Sequence, residues 1–373
     1  MDALTTPSNW QRVRLGDIGK PCMCKRVMKH QTTRYGEIPF YKIGTFGNTA
    51  DAFISKKLFL EYKTKYSFPK KGDILISASG TIGRAVIYDG KPAYFQDSNI
   101  VWIDNDETLV KNDFLFYAYS NIKWNTEHTT ILRLYNDNFR NTLIPLPPLN
   151  EQAAIANILS GLDRYLYSLD ALILKKESVK KALSFELLSQ RKRLKGFNQT
   201  WQKVRLGDIA NYLTSNLSAE QITQQGKIKV YDVNNFIGYT NTTFISDKPY
   251  ISIVKDGSVG RVRILPPKTN ILSTMGALVA NHKTTTEFLF YLLSNFDFKN
   301  FTSGSIIPHI YFKDYKEKAI FLPPLNEQIA IANILSDVDS EIISLKNKKR
   351  QFENIKKALN HDLMSAKIRV LNK

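Results

Sequence analysis

Residues 146–160 read LPPLNEQAAIANILS and residues 322–336 read LPPLNEQIAIANILS, so 14 of 15 positions are identical at an offset of 176. The proline pair is typical of a domain boundary, because proline disfavours helix in the preceding residue and is tolerated in a first helical turn. Asn150 is expected to cap the helix that follows, with Glu151 near the positive end of the helix dipole. The stretch predicts, twice, the start of a helix.

Three further segments repeat in the same order. WQRVRLGDI (10–18) returns as WQKVRLGDI (201–209), GTIGR (80–84) as GSVGR (257–261), and FLFYAYSN (114–121) as FLFYLLSN (288–295). Between these anchors the two copies differ strongly, and the first is 15 residues longer between its WQ and LPPL motifs. The chain is therefore predicted to contain two related modules that recognise two different targets.

Apolar residues after each LPPL motif recur at alternating spacings of three and four, which is typical of coiled-coil helices. The predicted seams are Leu159, Leu162, Leu166, Leu169, Ile173, Lys176, Lys180, Leu183, Leu187, Gln190 and Leu194 in one helix, and Leu335, Val338, Ile342, Leu345, Lys349, Phe352, Lys356, Leu359, Leu363, Ala366 and Val370 in the other. The seam lysines either fix the pairing register or mark a shift of the seam. Gly196 is expected to end the first helix. Neither helix can bury its stripe alone, so we expect the two to pair.

The segments before each helix indicate an α+β fold. Short β-rich runs bounded by Gly, Pro or Asn occur at 73–79, 84–88, 99–103 and 261–265, and the FLFY segments indicate short amphipathic helices. The predicted architecture is two repeated α/β domains, each followed by a long helix. The predicted limits are 1–149 and 196–325 for the domains, and 150–195 and 326–373 for the central and C-terminal helices.

Composition restricts the class of protein. The net charge of +18 favours a polyanionic partner, although a solvated basic surface is an equally good explanation. No apolar run approaches the roughly 20 residues of a membrane span, and MDALTTPSNW lacks the pattern of a secretory signal. With only Cys22 and Cys24, a disulfide framework or a zinc site is not expected. We therefore expect a cytoplasmic protein with reduced thiols.

Motifs of common catalytic sites are missing from the sequence. It has no G-x-x-x-x-G-K-[ST] loop, no H-E-x-x-H, and no Asn/Asp-Pro-Pro-aromatic signature of amino-methyltransferases. A β-run rather than a helix follows each G-[TS]-[IV]-GR segment, which favours a hairpin turn over a phosphate cradle. Such a hairpin could also enter a nucleic-acid groove and place Arg84 or Arg261 on a phosphate or a base.

Polar and basic residues cluster beside these turns. The candidates for nucleic-acid binding in the first module are Lys42, Thr45, Asn48, Ser79, Thr81, Arg84, Gln96, Asp97, Ser98, Asn99, Arg133 and Tyr135. In the second module they are Asn234, Asn235, Ser258, Arg261, Arg263, Ser273, Thr274, His309 and Tyr311. Arg, Asn and Gln can make bidentate contacts to base edges, whereas Ser, Thr and Tyr mostly position the backbone. Each alone is more often a plain surface residue, so the prediction depends on clustering at equivalent positions of both copies.

The duplicated arrangement resembles the specificity (S) subunits of type I restriction–modification enzymes, the HsdS family. The matching features are the W-x-x-[VI]-[RK]-LGDI openings at Trp10 and Trp201, the two glycine-rich hairpins, the two LPPLNEQ helix starts and the closing KIRV at 367–370. The likeness covers essentially the whole chain.

This resemblance implies two target-recognition domains, each of which reads one half of a split, asymmetric sequence in double-stranded DNA. The two long helices would form an antiparallel coiled coil, related by an approximate twofold axis, that acts as spacer and docking platform. Two methyltransferase subunits would bind S-adenosylmethionine and methylate adenine, and two restriction subunits would supply ATP-driven translocation and cleavage. The chain itself would have no catalytic activity, cofactor or metal, because S-adenosylmethionine, ATP and Mg²⁺ are expected in the partner subunits.

Two alternatives belong to other classes of protein. A non-catalytic nucleic-acid-binding scaffold of other function would be distinguished by competition between duplex DNA and RNA. A self-contained DNA methyltransferase with a hidden cofactor site would be distinguished by S-adenosylmethionine binding to the isolated chain.

Overall fold

The computed structural model describes residues 9–128 and 132–370. The first copy contains β1 (Gln11–Arg14), α1 (Leu15–Ile18), β2 (Gly19–Cys22), β3 (Ile38–Tyr41), β4 (Phe53–Ile54), α2 (Lys56–Lys65), β5 (Ile74–Ser77), β6 (Ala85–Ile87), β7 (Tyr94–Phe95), β8 (Ile100–Asn105), α3 (Asn112–Tyr119), β9 (Glu127–His128), β10 (Leu132–Arg133), α4 (Asn136–Asn141), β11 (Leu143–Leu146) and the long helix α5 (Leu149–Leu188). The second copy contains β12 (Gln202–Arg205), β13 (Ala210–Thr214), β14 (Ile228–Tyr231), β15 (Phe236–Thr240), β16 (Tyr250–Val254), β17 (Val262–Leu265), β18 (Asn270–Ile271), β19 (Met275–Ala280), α6 (Thr286–Ser294), β20 (Thr302–Ser303), β21 (His309–Ile310), α7 (Phe312–Tyr315), β22 (Ala319–Leu322) and the long helix α8 (Leu325–Met364).

The predicted α+β class and the predicted short strands and helices are confirmed. The first module has an antiparallel sheet in the order β2-β8-β5-β6, a second sheet β4-β3-β7 in which β3 and β7 are parallel, and the pairs β1-β11 and β9-β10. The second module repeats each of them, as β13-β19-β16-β17, β15-β14-β18, β12-β22 and β20-β21. Helix α2 has no counterpart there, because residues 241–249 connect β15 to β16 without a helix.

The alternation of side chains along the central strand gives each module two cores. In β5, Ile74 and Ile76 pack into the core beside the long helix, whereas Leu75 points into the core against the second sheet. This is the period of two that a β-strand imposes, and it explains why the strand is apolar at consecutive positions. In β16, Ile251 and Tyr250 divide between two cores in the same way.

By its contacts the chain divides into two units, one comprising residues up to Leu169 and from Lys348 onward, the other Asp170–Asn347. Each unit therefore contains one module and a segment of each long helix. The domain limits predicted from the motifs are a different division and stay predictions. None of the helices in the described ranges has the length and apolar character needed to cross a bilayer.

Within each unit the two helix segments run antiparallel. In the first unit Asp163 pairs with Lys356, and the rings of Tyr165 and Phe352 lie 4.7 Å apart. In the second unit the seam lysines of α5 pair with acidic residues of α8, Lys176 with Glu341 and Lys180 with Asp339. Lys349 pairs with Glu353 of its own helix, at 3.5 Å. Lys176, Lys180 and Lys356 thus bind the opposite helix, which supports a role in fixing the register.

A buried glutamate attaches each module to the helices. Glu151 accepts a hydrogen bond from the Trp10 indole at 3.0 Å and forms a two-bonded ion pair with Arg369, at 2.7 and 3.1 Å. Its side chain is only 3 % exposed, so the positive charge of the arginine compensates a buried carboxylate. The repeated WQ and NEQ motifs and the closing KIRV segment therefore meet at one point.

The second unit contains the same cluster. Glu327 accepts from the Trp201 indole at 3.0 Å and from Arg193 at 2.7 and 3.2 Å. Arg193 lies 176 positions before Arg369, so the arginines, like the glutamates, are equivalent in the two copies.

A tyrosine of each FLFY helix makes a second attachment. The hydroxyl of Tyr117 donates to Asp163 at 2.7 Å, and Lys356 binds the same carboxylate and lies 5.7 Å from the ring centre. Burial and the hydrogen bond to Asp163 raise the pKa of Tyr117, so the hydroxyl stays protonated and acts as the donor. Tyr291 donates to Asp339 at 2.9 Å in the second unit, where Lys180 is the cation. These contacts fix each module on its helices.

The predicted helix ends were wrong. Helix α5 begins at Leu149, where the N–H of Gln152 donates to the Pro148 carbonyl at 2.9 Å, and Asn150 Oδ1 accepts only from the next residue's N–H. The helix also stops at Leu188 instead of continuing to Gly196, because Gln190 adopts a left-handed backbone with φ +61°. Ala366, at the same position of the second copy, does so with φ +57°.

The predicted seam residues beyond Leu188 and Met364 are therefore not helical. Leu194 packs against the core of the second module, and Ala366 and Val370 pack against the core of the first. All predicted positions within the helices are buried or half-buried.

Candidate nucleic-acid interface

The glycine-rich connection between β5 and β6 forms a fixed hairpin in the first module. Gly80 and Gly83 have φ of +66° and +84°, values that favour glycine. A Cβ on Gly83 would lie 2.1 Å from the indole nitrogen of Trp124, so no side chain fits there. The Ser77 hydroxyl accepts from the Arg84 N–H at 2.9 Å and donates to the Thr81 carbonyl. The glycine conformations, the contact with Trp124 and the hydrogen bonds of Ser77 thus fix the hairpin in one conformation. The sequence predicted this hairpin.

The turn after β3 holds the hairpin arginine. Arg84 is exposed, and its guanidinium donates to the Phe46 carbonyl at 3.0 Å. Within this turn the Thr45 hydroxyl accepts from the Lys42 N–H at 3.1 Å, and the exposed Asn48 follows. Lys42 also binds Asp51, and its hydrogen bond holds the pKa of that carboxyl below its ordinary value.

The segment before β8 joins both features. Gln96 accepts from the Ile43 N–H at 2.9 Å, which connects it to the turn after β3. Asn99 accepts from the Ser79 hydroxyl at 2.7 Å, which connects it to the hairpin. Ser98 lies between them with φ +58°, a strained conformation for a residue with a side chain. The predicted residues 96–99 are therefore hydrogen-bonded to both the hairpin and the turn after β3.

Arg133 completes the arrangement. Its backbone forms a β-bridge with Ser79, and the N–H of Leu134 donates to the Ala78 carbonyl at 2.9 Å. Together these segments surround a cleft of about 510 Å³, lined by Arg26, Val27, Lys29, Thr32, Phe40, Lys42, Ala52, Gln96, Asp97, Ser98, Asn99 and Arg133. Six of the twelve predicted residues line this cleft. Thr45 and Ser79 join it through their hydrogen bonds with Lys42 and Asn99, whereas Arg84 is held on the turn after β3. Asn48, Thr81 and Tyr135 are exposed on the segments that carry these residues.

Two cationic residues of the cleft were missed. Arg26 donates to Asp97 at 2.8 Å, and Lys29, three residues later in the chain, also lines the cleft. The feature of the sequence that could have indicated them is the basic run KRVMKH at 25–30. It has no repeated counterpart, so a search based on the duplication could not find it.

The second module builds the same hairpin with other contacts. Gly257 and Gly260 have φ of +82° and +80°, and a Cβ on Gly260 would lie 2.6 Å from the ring of Phe298. Arg261 donates to the Asn234 side chain at 2.8 Å, and Arg263 donates to the Asn234 carbonyl at 2.9 Å. The hairpin arginine is again held by the turn after the equivalent strand.

Asp232 shapes that turn. Its carboxylate accepts from the N–H groups of Asn234 and Asn235 at 2.7 and 2.6 Å. The Arg263 guanidinium lies 5.3 Å from the ring centre of Tyr231, so cation–π attraction also positions it.

A histidine–aspartate pair occupies the place of Arg133 and Ser79. His309 forms a β-bridge with Asp256, and its Nδ1 lies 2.6 Å from the carboxylate. Asp256 was missed by the sequence reasoning, because the first copy has serine at that position. Tyr311, two residues further on, is half exposed beside Lys313.

The remaining candidates of the second module lie around this pair. The Thr274 carbonyl accepts from the Lys255 N–H at 3.1 Å, and the N–H of Ser273 donates to the Leu217 carbonyl at 2.9 Å. Ser258 is exposed in the hairpin itself. The structure thus brings the predicted residues of each module together on four neighbouring segments: the hairpin, the turn after β3 or β14, the segment before β8 or β19, and the bridge segment.

Helix α2 adds positive charge to the first module. Lys56, Lys57, Lys63 and Lys65 are exposed, and the first turn has two lysines and no acidic residue, which opposes the helix dipole. Gln31 donates to the Tyr62 hydroxyl at 3.4 Å, and Lys25 lies 5.0 Å from the Tyr66 ring centre. The helix is thereby attached to the segment that carries Arg26 and Lys29.

The chain matches the family model of the type I restriction modification DNA specificity domain twice, at residues 7–176 and 198–354. A protein of Methanocaldococcus jannaschii, described provisionally as the type I restriction enzyme MjaX specificity subunit, is 30 % identical over 404 residues, covering 98 % of this chain and 95 % of that protein. A Haemophilus influenzae protein, described provisionally as a type I restriction enzyme specificity subunit, is 64 % identical over 148 residues, which cover 39 % of this chain and 38 % of that protein.

The fold agrees with that of a solved structure. The crystal structure of the type I restriction-modification S subunit from M. genitalium superimposes with a TM-score of 0.64 at 20 % identity and covers 98 % of both chains.

Proposed function

This chain belongs to the type I restriction–modification DNA specificity family, and we propose that it selects the double-stranded DNA sequence on which a type I complex acts. Each module reads one half of an asymmetric bipartite target. The helices α5 and α8 set the gap between the two halves and bind two methyltransferase subunits. The chain itself performs no catalysis.

One observation carries this proposal: the same backbone frame presents different side chains in the two modules. In the first module a β-bridge between Ser79 and Arg133 joins the hairpin to the pair β9-β10. In the second module the equivalent bridge, between Asp256 and His309, joins the hairpin to the pair β20-β21. Base edges are distinguished by the pattern of donors and acceptors that meets them. A conserved frame with exchanged donors and acceptors is what recognition of two unlike half-sites requires.

The chemistry of the cleft also suits DNA. Arginine and lysine provide contacts to phosphates, and Gln96 and Asn99 provide amides that can pair with base edges. The hydrogen bonds that hold Arg84 on Phe46 and Gln96 on Ile43 orient these side chains before DNA binds. Preorganisation of this kind reduces the entropic cost of association.

Exposed apolar residues support binding of a protein partner by the helices. Leu172, Leu174, Val179 and Phe185 of α5, and Ile329, Ile343 and Ile355 of α8, are exposed to solvent by 39 to 64 %. We infer that methyltransferase subunits cover them and bind S-adenosylmethionine, and that restriction subunits bind ATP and Mg²⁺. The assembly acts in the cytoplasm, where the cellular DNA is accessible.

Methylome mapping tests the proposal directly. The chain is expressed with its cognate methyltransferase subunit in a host that lacks DNA methylation, and N6-methyladenine is mapped across the genome. The expected result is one split motif, with two unlike half-sites around a fixed non-specific gap.

The methyltransferase subunit expressed alone is the control and should give no motif. Methylation that does not depend on this chain would contradict the proposal. So would a well-formed complex that leaves the genome unmethylated and does not bind duplex DNA in preference to RNA.

A further inference from the structure

Two adjacent isoleucines stand exposed at the tip of the second module's β20–β21 loop. Ile306 is 92 % exposed and Ile307 is 55 % exposed. Large apolar side chains in water are unfavourable by about 25 cal/mol for each Å² of their surface. A loop of polar residues would connect the same two strands without this cost.

The loop that carries them has a defined conformation. Gly304 has φ +92°, and a Cβ there would lie 2.3 Å from the Ile307 carbonyl oxygen. Thr302 pairs with Ile310 and Ser303 with His309 on its two sides. The Pro308 carbonyl accepts from the Gly257 N–H at 2.9 Å. The isoleucines therefore lie in a turn that is fixed by strand pairing on both sides and by a hydrogen bond to the glycine-rich hairpin.

The surroundings of the tip belong to the candidate interface. Gly257 begins the hairpin that carries Ser258 and Arg261, and His309 with Asp256 forms the bridge directly after the tip. Cationic and polar groups account for attraction to phosphates and for hydrogen bonds to bases. They do not account for two exposed isoleucines among them.

Duplex DNA offers one apolar group on its base edges, the C5-methyl of thymine in the major groove. We propose that Ile306, supported by Ile307, enters the major groove of the half-site read by the second module and contacts a thymine methyl. This inference rests on the proposed function and assigns one element of its specificity. In the sequence of the first copy Thr130 and Ile131 stand at the corresponding positions, and the proposal concerns the second module alone.

The test uses the complex of this chain with its methyltransferase subunit and duplexes that contain the mapped motif. Ile306→Ala should weaken binding to this duplex roughly tenfold, within the range of a lost base contact. Its affinity for unrelated DNA should be unchanged, because non-specific binding depends on phosphate contacts. Each thymine of the motif is then replaced by deoxyuridine, which lacks the methyl group. At one position the wild-type complex should lose affinity and the Ile306→Ala complex should not.

Leu109→Ala is the matched control, because Leu109 is an exposed apolar residue of the first module, 51 % accessible, and its carbonyl accepts from Gln152 of α5, where the module contacts the long helix. It should leave binding of both duplexes unchanged. Unchanged specific binding by Ile306→Ala, an equal loss on both DNAs, or a deoxyuridine series without a position that depends on Ile306 would overturn the inference. If the wild-type complex itself showed no preference for the motif, the proposed function would fail instead.

Discussion

The helix-facing end and the nucleic-acid face of each module have diverged to very different extents. At the helix-facing end both modules use the same side chains, a tryptophan and an arginine on a buried glutamate, and a tyrosine and a lysine on an aspartate. At the nucleic-acid face the equivalent positions hold Ser79 and Arg133 in one module and Asp256 and His309 in the other. The side chains that attach a module to the helices are thus the same in both copies, whereas the bridge residues on the same backbone frame differ.

The buried glutamates should show the largest effect. Glu327→Ala should lower the free energy of unfolding by about 3–5 kcal/mol, because Arg193 and the Trp201 N–H lose their acceptor in a buried position. Glu151→Ala should cost a similar amount if the two attachments are equivalent. Denaturant unfolding of the full chain measures both.

Glu341→Gln is the control for these variants. Glu341 is 55 % exposed, and removal of its ion pair with Lys176 should cost less than about 1 kcal/mol. A loss for either buried glutamate as small as this control would show that the cluster does not anchor the module.

The next effect is confined to one half of the target. His309→Ala should relax the sequence preference in one half-site by about 1–3 kcal/mol, and Arg133→Ala should do so in the other half-site. Methylome mapping of the two variants measures the altered positions. If both substitutions altered the same half-site, the assignment of one half to each module would be wrong.

The smallest effect concerns helix α2, which only the first module contains among the described residues. Replacement of Lys56, Lys57 and Lys63 by glutamine should reduce the slope of log affinity against log salt by up to about one for each lysine that contacts phosphate. Specificity should remain, because these lysines lie outside the cleft-lining residues. Binding at several salt concentrations gives the slope.

Lys248→Gln is the comparison in the second module. Lys248 lies in residues 241–249, which replace the helix there, and its substitution should change the slope by less. An unchanged slope of log affinity against log salt for the α2 variant would show that this helix does not contact the DNA phosphates.

Duplication made most of the fold predictable from the sequence. The repeated motifs located the strands of the hairpins, the FLFY helices and both long helices, and the spacing of apolar residues located their buried faces. Helix ends were less predictable. Gly196 is the residue type that usually follows a helix, yet Gln190 takes the left-handed conformation six positions earlier.

The candidate interface was predictable where residues lie close in the sequence to the repeated motifs or at equivalent positions of the two copies. The hairpin arginines and the bridge residues Arg133 and His309 stand at equivalent positions, so the duplication indicated them. Arg26 reaches the cleft through its contact with Asp97, 71 positions away in the chain. A pairing across such a separation depends on the sheet topology, which one sequence does not determine.

The left-handed residues at the ends of the long helices indicate room for stabilisation. A residue with a side chain is disfavoured by roughly 1 kcal/mol in this conformation, so Gln190→Gly should make the protein more stable. Ala366→Gly should gain less, because the Ala366 methyl also packs against the core of the first module. A laboratory variant with higher thermal tolerance could thus be obtained far from the DNA-facing residues. The persistence of both strained positions is expected of a protein selected for sufficient rather than maximal stability.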